Sequence, residues 1–170
     1  MFIVLFAILF AGRLGAWPLK FDATPQQPRA VLSSAYTQPE KYEPGRDPEK
    51  DLASAGAEAK NSNRYIFVIV GGEWCAWCHI MDDFFRDHPD LKTFREKNYV
   101  VMKLNMSREN ENKAFLSRYP KIHGYPHIFI LDADGKLVKS QATNELEDGR
   151  SYNAKRFKKF LEQFAPKASA

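Results

Sequence analysis

The sequence predicts an α/β fold in which a central mixed sheet of about four strands is flanked by helices. The first observation behind this prediction is the order of patterned segments, which reads helix, strand, helix, strand, helix, strand, strand, helix. The second is size and composition: 170 residues, 44% of them hydrophobic and 13 of them Phe, suit one domain with one core.

Capping and burial patterns predict the first three elements. Asp47 and Pro48 supply a helix cap and a first-turn proline, and the alanine-rich stretch 51–60 continues the helix. Residues 64–70, RYIFVIV, form a nearly unbroken apolar run, which is typical of a central strand buried on both faces. Apolar residues at helical spacing over 76–88 then predict an amphipathic helix with the second cysteine in its first turn.

The second half of the chain alternates strands and helices. Residues 98–106, NYVVMKLNM, are predicted to form a strand, and 111–119 a short helix. A strand over 127–131 leads through the turn DADG into a hairpin partner at 136–140. Apolar residues on one face of 152–164 predict a closing helix.

The N-terminal third of the chain is predicted to lie outside the folded unit. Residues 1–16 are interpreted as a signal peptide or an N-terminal anchor, because their apolar run is shorter than the ~20 residues of a membrane-spanning helix. Residues 17–47, rich in Pro, Gln, Ser and Thr, are predicted to be a flexible tether. The domain is then expected to occupy residues 48–166.

We expect this domain to be periplasmic or secreted, either free or tethered to the membrane by an uncleaved N-terminus. Outside the cytoplasm a pair of cysteines can persist as a disulfide. Residues 167–170 carry no retention signal of the KDEL type, which favours a bacterial periplasm. The net charge is +4, but the basic residues are scattered among 21 acidic ones, so we expect no nucleic-acid partner.

The only two cysteines, Cys75 and Cys78, form a C-x-x-C pattern between the predicted buried strand and the following helix. First-turn N–H groups and the helix dipole stabilise a thiolate at Cys75, which makes it the attacking nucleophile. Cys78 lies near enough to attack a mixed disulfide at Cys75 and release the product. A two-residue loop contributes little chain-entropy stabilisation, so a purely structural disulfide is the weaker interpretation.

Three neighbouring side chains are candidates for supporting roles. His79 shares a helical face with Cys75, where a charged imidazole would favour the thiolate; a partly exposed surface histidine is the open alternative. Trp74 and Trp77 are expected to form an apolar surface beside the disulfide on which partners dock. Core packing is the less favoured interpretation for Trp77, because it lies between the cysteines. For Trp74 it is a stronger alternative, since this side chain could fill a pocket.

The segment 73–78, EWCAWC, together with 124–126, GYP, resembles the active site of thioredoxin-like proteins. The likeness is to exported members related to the C-terminal domain of the disulfide reductase DsbD, and it covers about residues 52–164. It implies a thioredoxin-like fold and a cis peptide bond before Pro126, which would face the disulfide. It also implies that Tyr125 offers backbone groups to an extended substrate, and it favours reduction over oxidation.

Two positions depart from the typical thioredoxin pattern. Ile69 stands where thioredoxins carry a buried acid, so proton transfer from Cys78 needs another route. The dipeptide between the cysteines, Ala76-Trp77, is neither Gly-Pro nor Pro-His. Because this dipeptide helps to set the reduction potential, which spans ~150 mV in the family, the direction of electron flow stays open.

We therefore predict a protein-disulfide oxidoreductase that exchanges disulfides with protein thiols, with Cys75 as nucleophile and Cys78 as resolving thiol. Its expected partners are protein thiol and disulfide substrates and a redox partner such as a membrane electron carrier. Neither a cofactor nor a metal is expected.

Alternatives from other classes remain open. Cys75 to His79 also satisfies C-x-x-C-H, the attachment pattern of c-type haem. Two thiolates with His127 would suit copper(I), which prefers soft ligands. A non-catalytic binding module would use the tryptophan-flanked surface alone.

Overall fold

A computed structural model describes residues 36–167; the predicted leader 1–16, and the predicted tether up to residue 35, lie outside the described residues. The strands of the central sheet are β1 (Tyr65–Gly71), β2 (Tyr99–Asn105), β3 (His127–Leu131) and β4 (Leu137–Ala142). They lie in the order β2-β1-β3-β4, with β1 and β2 parallel and the other two pairs antiparallel. The predicted mixed sheet of four strands is therefore confirmed.

Helices cover both faces of this sheet. They are α1 (Pro48–Ser62), α2 (Ala76–Asp87), α3 (Pro89–Asn98), α4 (Lys113–Leu116) and α5 (Ala154–Phe164). Buried residues of α2, α3 and α5 pack on one face, and those of α1 and α4 on the other. No helix within residues 36–167 combines the length and apolar character needed to cross a membrane.

Strand alternation separates two cores. From β1, Phe67 and Ile69 enter the cluster that also contains both cysteines, which we call the disulfide face. Their neighbours Ile66 and Val68 enter the opposite cluster, which we call the back face. This alternation follows from the period of two in a strand, which turns successive side chains to opposite sides of the sheet.

Three elements differ from the prediction. Helix α3 was not predicted, because its buried positions include an arginine, Arg95, which interrupts the apolar pattern. Helix α4 is a single turn rather than 111–119. A short hairpin of β5 (Glu147–Asp148) and β6 (Ser151–Tyr152) precedes α5, and strands of two residues leave no readable alternation.

The predicted tether is not free over its last part. Residues 36–46, which we call the strap, lie against the domain, and Tyr42 is 2% exposed within the disulfide face. Lys103 Nζ donates to the Glu40 carbonyl at 2.6 Å, and Asn110 Nδ2 to the Pro44 carbonyl at 2.8 Å. Proline-rich composition correctly indicates the lack of regular structure here, but it does not reveal that one aromatic side chain anchors the segment.

Candidate active site

The two cysteines lie where β1 gives way to α2, at the carboxyl end of a central strand. Cys75 is the N-cap residue of α2, and its sulphur accepts a hydrogen bond from the Cys78 backbone N–H at 3.2 Å. The two residues are joined as a disulfide, with their Cα atoms 5.2 Å apart. Cys75 is 4% exposed and Cys78 is fully buried. The helix N-terminus therefore meets the outer sulphur, as predicted, while the inner sulphur faces the core.

Two glycines bring the backbone close to this pair. A Cβ atom at Gly71 would collide with Cys78 Sγ, and one at Gly72 would collide with the Trp74 indole. The role of Gly71 and Gly72 is steric, because the absence of both side chains makes room for the sulphur and the ring.

The two tryptophans occupy different environments. Trp74 is 58% exposed; its Nε1 donates to the Met106 carbonyl at 2.7 Å. Trp77 is half-buried, with its ring edge-on to Tyr152 at 5.5 Å. The expectation that Trp77 is the less packed of the two is therefore wrong, because Tyr152 of the β5–β6 hairpin covers it.

Tyr125 and Pro126 lie beside the exposed tryptophan. The peptide bond between them is cis, as the resemblance implied, and the Tyr125 ring stands edge-on to Trp74 at 5.5 Å. The Thr143 hydroxyl donates to the Pro126 carbonyl at 2.6 Å. An open cavity of about 520 Å³ borders Trp74 and Met106, and a second of about 260 Å³ lies along 123–126. These concave surfaces are large enough for side chains of a bound polypeptide.

Beneath the disulfide, the position usually held by an acid is indeed apolar, since Ile69 is 1% exposed in the core. The nearby charges come instead from other elements. Lys103 Nζ on β2 forms an ion pair with Asp82 Oδ2 on α2 at 2.8 Å and lies 5.1 Å from the centre of the Tyr42 ring. A lone lysine within the apolar run of β2 was the sequence signal for this buried pair.

His79 turns back towards the active-site loop. Its Nε2 lies 2.9 Å from the Glu73 carbonyl oxygen, a hydrogen bond in which the imidazole donates. The Glu73 carboxylate in turn accepts the Tyr42 backbone N–H at 2.8 Å. His79 thus ties α2 to the loop that precedes it, and its predicted electrostatic effect on Cys75 stays a prediction.

His127 belongs to the back face rather than to the site. Its ring lies 4.8 Å from Phe129, a back-face residue, and its Nε2 is 2.8 Å from the Ser140 hydroxyl. Burial lowers its pKa to about 4. A copper(I) site made of both cysteines and His127 does not fit this placement. Across residues 36–167 no group of three or more His, Cys, Asp or Glu is arranged to hold a metal ion.

A protein-family model described as thioredoxin-like matches residues 47–133, about half of the chain. The chain therefore belongs to the thioredoxin-like family, and its fold is the thioredoxin-like fold. The cysteine pair at the N-terminus of α2 is chemically able to undergo thiol–disulfide exchange.

One relative of known name matches part of the chain. The disulfide bond reductase DsbH of Chlamydia pneumoniae is 24% identical over 98 residues, which are 52% of this chain and 58% of the relative. This chain therefore matches less than two thirds of the relative's length.

Solved structures share the fold. A disulphide isomerase from Xylella fastidiosa Temecula1 superposes with a TM-score of 0.62 at 21% identity, covering 76% of this chain and 98% of that one. The oxidised C-terminal domain of DsbD from Neisseria meningitidis gives 0.53 at 19% identity, covering 69% and 96%.

Proposed function

We propose that this protein reduces disulfides of proteins outside the cytoplasm, with Cys75 as the attacking thiolate and Cys78 as the resolving thiol. The observation that carries the proposal is the placement of the Cys75 sulphur at the N-terminus of α2, beside an exposed aromatic rim. A helix N-terminus stabilises the thiolate form, and the thiolate is the species that attacks a disulfide.

The reaction proceeds by two exchanges. The Cys75 thiolate attacks one sulphur of the substrate disulfide, and the substrate's other sulphur leaves as a thiolate. Cys78 then attacks Cys75 Sγ, which breaks the mixed disulfide and releases the second substrate thiol. The substrate gains two electrons, this protein becomes the disulfide form, and a dithiol redox partner at the membrane restores it.

The rim gives the substrate a place to lie. The exposed Trp74 and the half-buried Tyr125 form its aromatic part, and the cavity along 123–126 includes the residues of the cis peptide bond. Aromatic side chains contribute large apolar contact area at little cost in side-chain entropy, which suits a surface for extended segments of varied sequence.

Geometry weighs against the haem alternative. Attachment of haem would consume both thiols, which form the disulfide here, and would need a free imidazole as iron ligand. The His79 Nε2 already lies against the Glu73 carbonyl. Absorption spectra of the protein expressed with haem-attachment machinery test this point, and a Soret band would overturn the proposal.

The deciding experiment is a redox titration of the full chain. The wild type, Cys75→Ser and Cys78→Ser are equilibrated with glutathione or dithiothreitol series, and thiol modification is followed by mass. We expect only the wild type to titrate as a two-electron couple. A reduction potential of about −270 mV is expected for a reductant, whereas about −120 mV would indicate an oxidant. Failure of the wild type to titrate would overturn the proposal.

The substitutions also separate the two cysteine roles. Cys78→Ser should accumulate a mixed disulfide with glutathione at Cys75, whereas Cys75→Ser should not form one at Cys78, because that sulphur is buried. Equal labelling of the two variants would contradict the assignment.

A further inference from the structure

The buried surroundings of Cys78 contain a polar group that the exchange reaction above does not use. A Cβ atom at Gly71 would collide with Cys78 Sγ and would lie 3.3 Å from the Tyr42 phenolic oxygen. The sulphur and the phenol therefore border the same point above the backbone of β1. The missing side chain of Gly71 keeps this space open between them.

The Tyr42 hydroxyl has no hydrogen-bond partner in residues 36–167, although it is fully buried. An unpaired buried hydroxyl is destabilising, so such a group calls for an explanation. Two backbone groups of the strap near it do have partners: the Tyr42 N–H donates to the Glu73 carboxylate, and the Glu40 carbonyl accepts from Lys103. The strap thus holds the phenol firmly in place without giving its hydroxyl a partner.

We propose that Tyr42 donates a hydrogen bond to the Cys78 thiolate when the disulfide opens, and so stabilises the charge on the resolving cysteine in a core where Ile69 supplies no polar group. The inference rests on the proposed disulfide exchange and names the group that supports its resolving step. A disulfide sulphur is a weak acceptor, whereas a thiolate is a strong one. The hydroxyl is therefore unpaired in the oxidised form and paired in the reduced form.

The charge balance around the phenol fits a donor and not a base. Burial raises the Tyr42 pKa well above its ordinary value, and Asp82, Tyr152 and Glu73 raise it further, while Arg95 opposes them. A phenol that keeps its proton donates to a thiolate without taking part in proton transfer. Cys78 loses its proton before it attacks Cys75 Sγ, and a departing substrate thiolate takes up one proton, so the protons balance over the two exchanges.

Tyr42→Phe removes only this hydroxyl. The reduced form loses a stabilising hydrogen bond, and the oxidised form loses a destabilising unpaired hydroxyl. Both effects favour the disulfide. We expect its equilibrium constant with glutathione to move about fivefold to tenfold towards the disulfide, where tenfold corresponds to ~30 mV. We also expect slower release of glutathione from the mixed disulfide at Cys75.

Tyr99→Phe is the matched control. Tyr99 is an equally buried tyrosine of the disulfide face, but its hydroxyl donates to the Leu161 carbonyl at 2.7 Å. The Tyr99→Phe substitution should lower the urea midpoint of both redox forms and leave the equilibrium constant with glutathione unchanged. Tyr42→Phe should leave the midpoint of the oxidised form unchanged or higher, and lower only that of the reduced form.

The outcomes are distinct. A wild-type constant in Tyr42→Phe, or an equal shift in both variants, would overturn the role of Tyr42 and leave the exchange reaction intact. A wild type that does not titrate at all would instead overturn the proposed function.

Discussion

Buried residues cover both faces of the central sheet, but the two faces differ in the kinds of residue they bury. The disulfide face holds buried polar groups among aromatic rings: Arg95 lies 3.9 Å from the centre of the Phe85 ring, and Lys103 pairs with Asp82. The back face is built mainly from aliphatic residues of the strands and the small residues Ala55 and Ala59 of α1, with Phe115 and Phe129 as its buried aromatic residues. Its buried ionisable group is His127, which burial holds in the neutral form at neutral pH.

This difference separates function from support within one small domain. Buried ions cost desolvation energy, which only well-placed partners offset, so a protein gains little stability from them. The disulfide face nevertheless retains a buried lysine, a buried arginine and the phenol of Tyr42, whose hydroxyl has no partner among residues 36–167. The back face carries little buried charge and supplies the apolar packing that offsets this cost.

The largest expected effect comes from breaking the ion pair between the buried Lys103 and Asp82 on the disulfide face. Asp82→Asn leaves the Lys103 ammonium, whose side chain is 4% exposed, with neutral acceptors only. Because Asp82 itself is partly exposed, we expect a loss of about 2 to 3 kcal/mol, below the full cost of an orphaned buried charge. Urea unfolding of the oxidised protein measures it.

The adjacent Asp83 is the control for this measurement. It lies on the same helix and pairs with Arg86, but both side chains are more than half exposed. Asp83→Asn should change stability by less than ~0.5 kcal/mol. Equal losses in the two variants would show that the burial of Lys103 does not matter.

The second effect belongs to the back face and depends on pH. The folded-state pKa of His127 is about 4, against an ordinary value of 6.5, so the unfolded state binds more protons between these values. Its contribution to stability is therefore fully present above pH 6.5 and is lost as the pH falls towards 4. We expect this loss to be about 2 to 3 kcal/mol, since each pKa unit corresponds to ~1.4 kcal/mol.

His127→Gln tests this assignment, because glutamine keeps a donor towards Ser140 but does not titrate. The stability of the variant should fall less steeply than that of the wild type between pH 6.5 and 4. The neighbouring His123 and Glu145 also act on the imidazole, in opposite directions, and remain in both proteins. Parallel pH profiles would contradict the burial of His127.

The third effect lies at the rim, where Tyr125 packs against both clusters. Trp74→Ala removes the exposed indole and its edge-on contact with that ring. Because the indole contributes binding area and not core packing, kcat/KM for a disulfide-bonded protein should fall about tenfold, with most of the change in KM. The potential of the cysteine pair should stay unchanged; a shifted potential would place Trp74 in the chemistry itself.

The sequence predicts the back face and the surroundings of Cys75 better than the buried surroundings of Cys78. Strand β1 could be predicted because its unbroken apolar run is typical of a central buried strand. The cysteine spacing at the end of this strand predicts the N-cap of the following helix. Tyr42 could not be found in this way: it precedes the first helix within a proline-rich segment, and only the tertiary structure brings it to Cys78. Helix α3 was missed for a related reason: the guanidinium of Arg95 lies over the Phe67 and Phe85 rings at a buried position, where a charged residue interrupts the apolar pattern.

The smallest expected effect probes the close packing of the back face. A Cβ atom at Gly56 would lie 2.9 Å from the Ala133 carbonyl oxygen, so Gly56→Ala forces α1 away from the loop after β3. The gain of ~1 kcal/mol in helix propensity is outweighed by overpacking of 1 to 3 kcal/mol, which leaves a net loss of about 1 kcal/mol. Ser54→Ala on the exposed side of α1 should stabilise slightly. A stabilised Gly56→Ala would mean that the back face yields more readily than its contacts indicate.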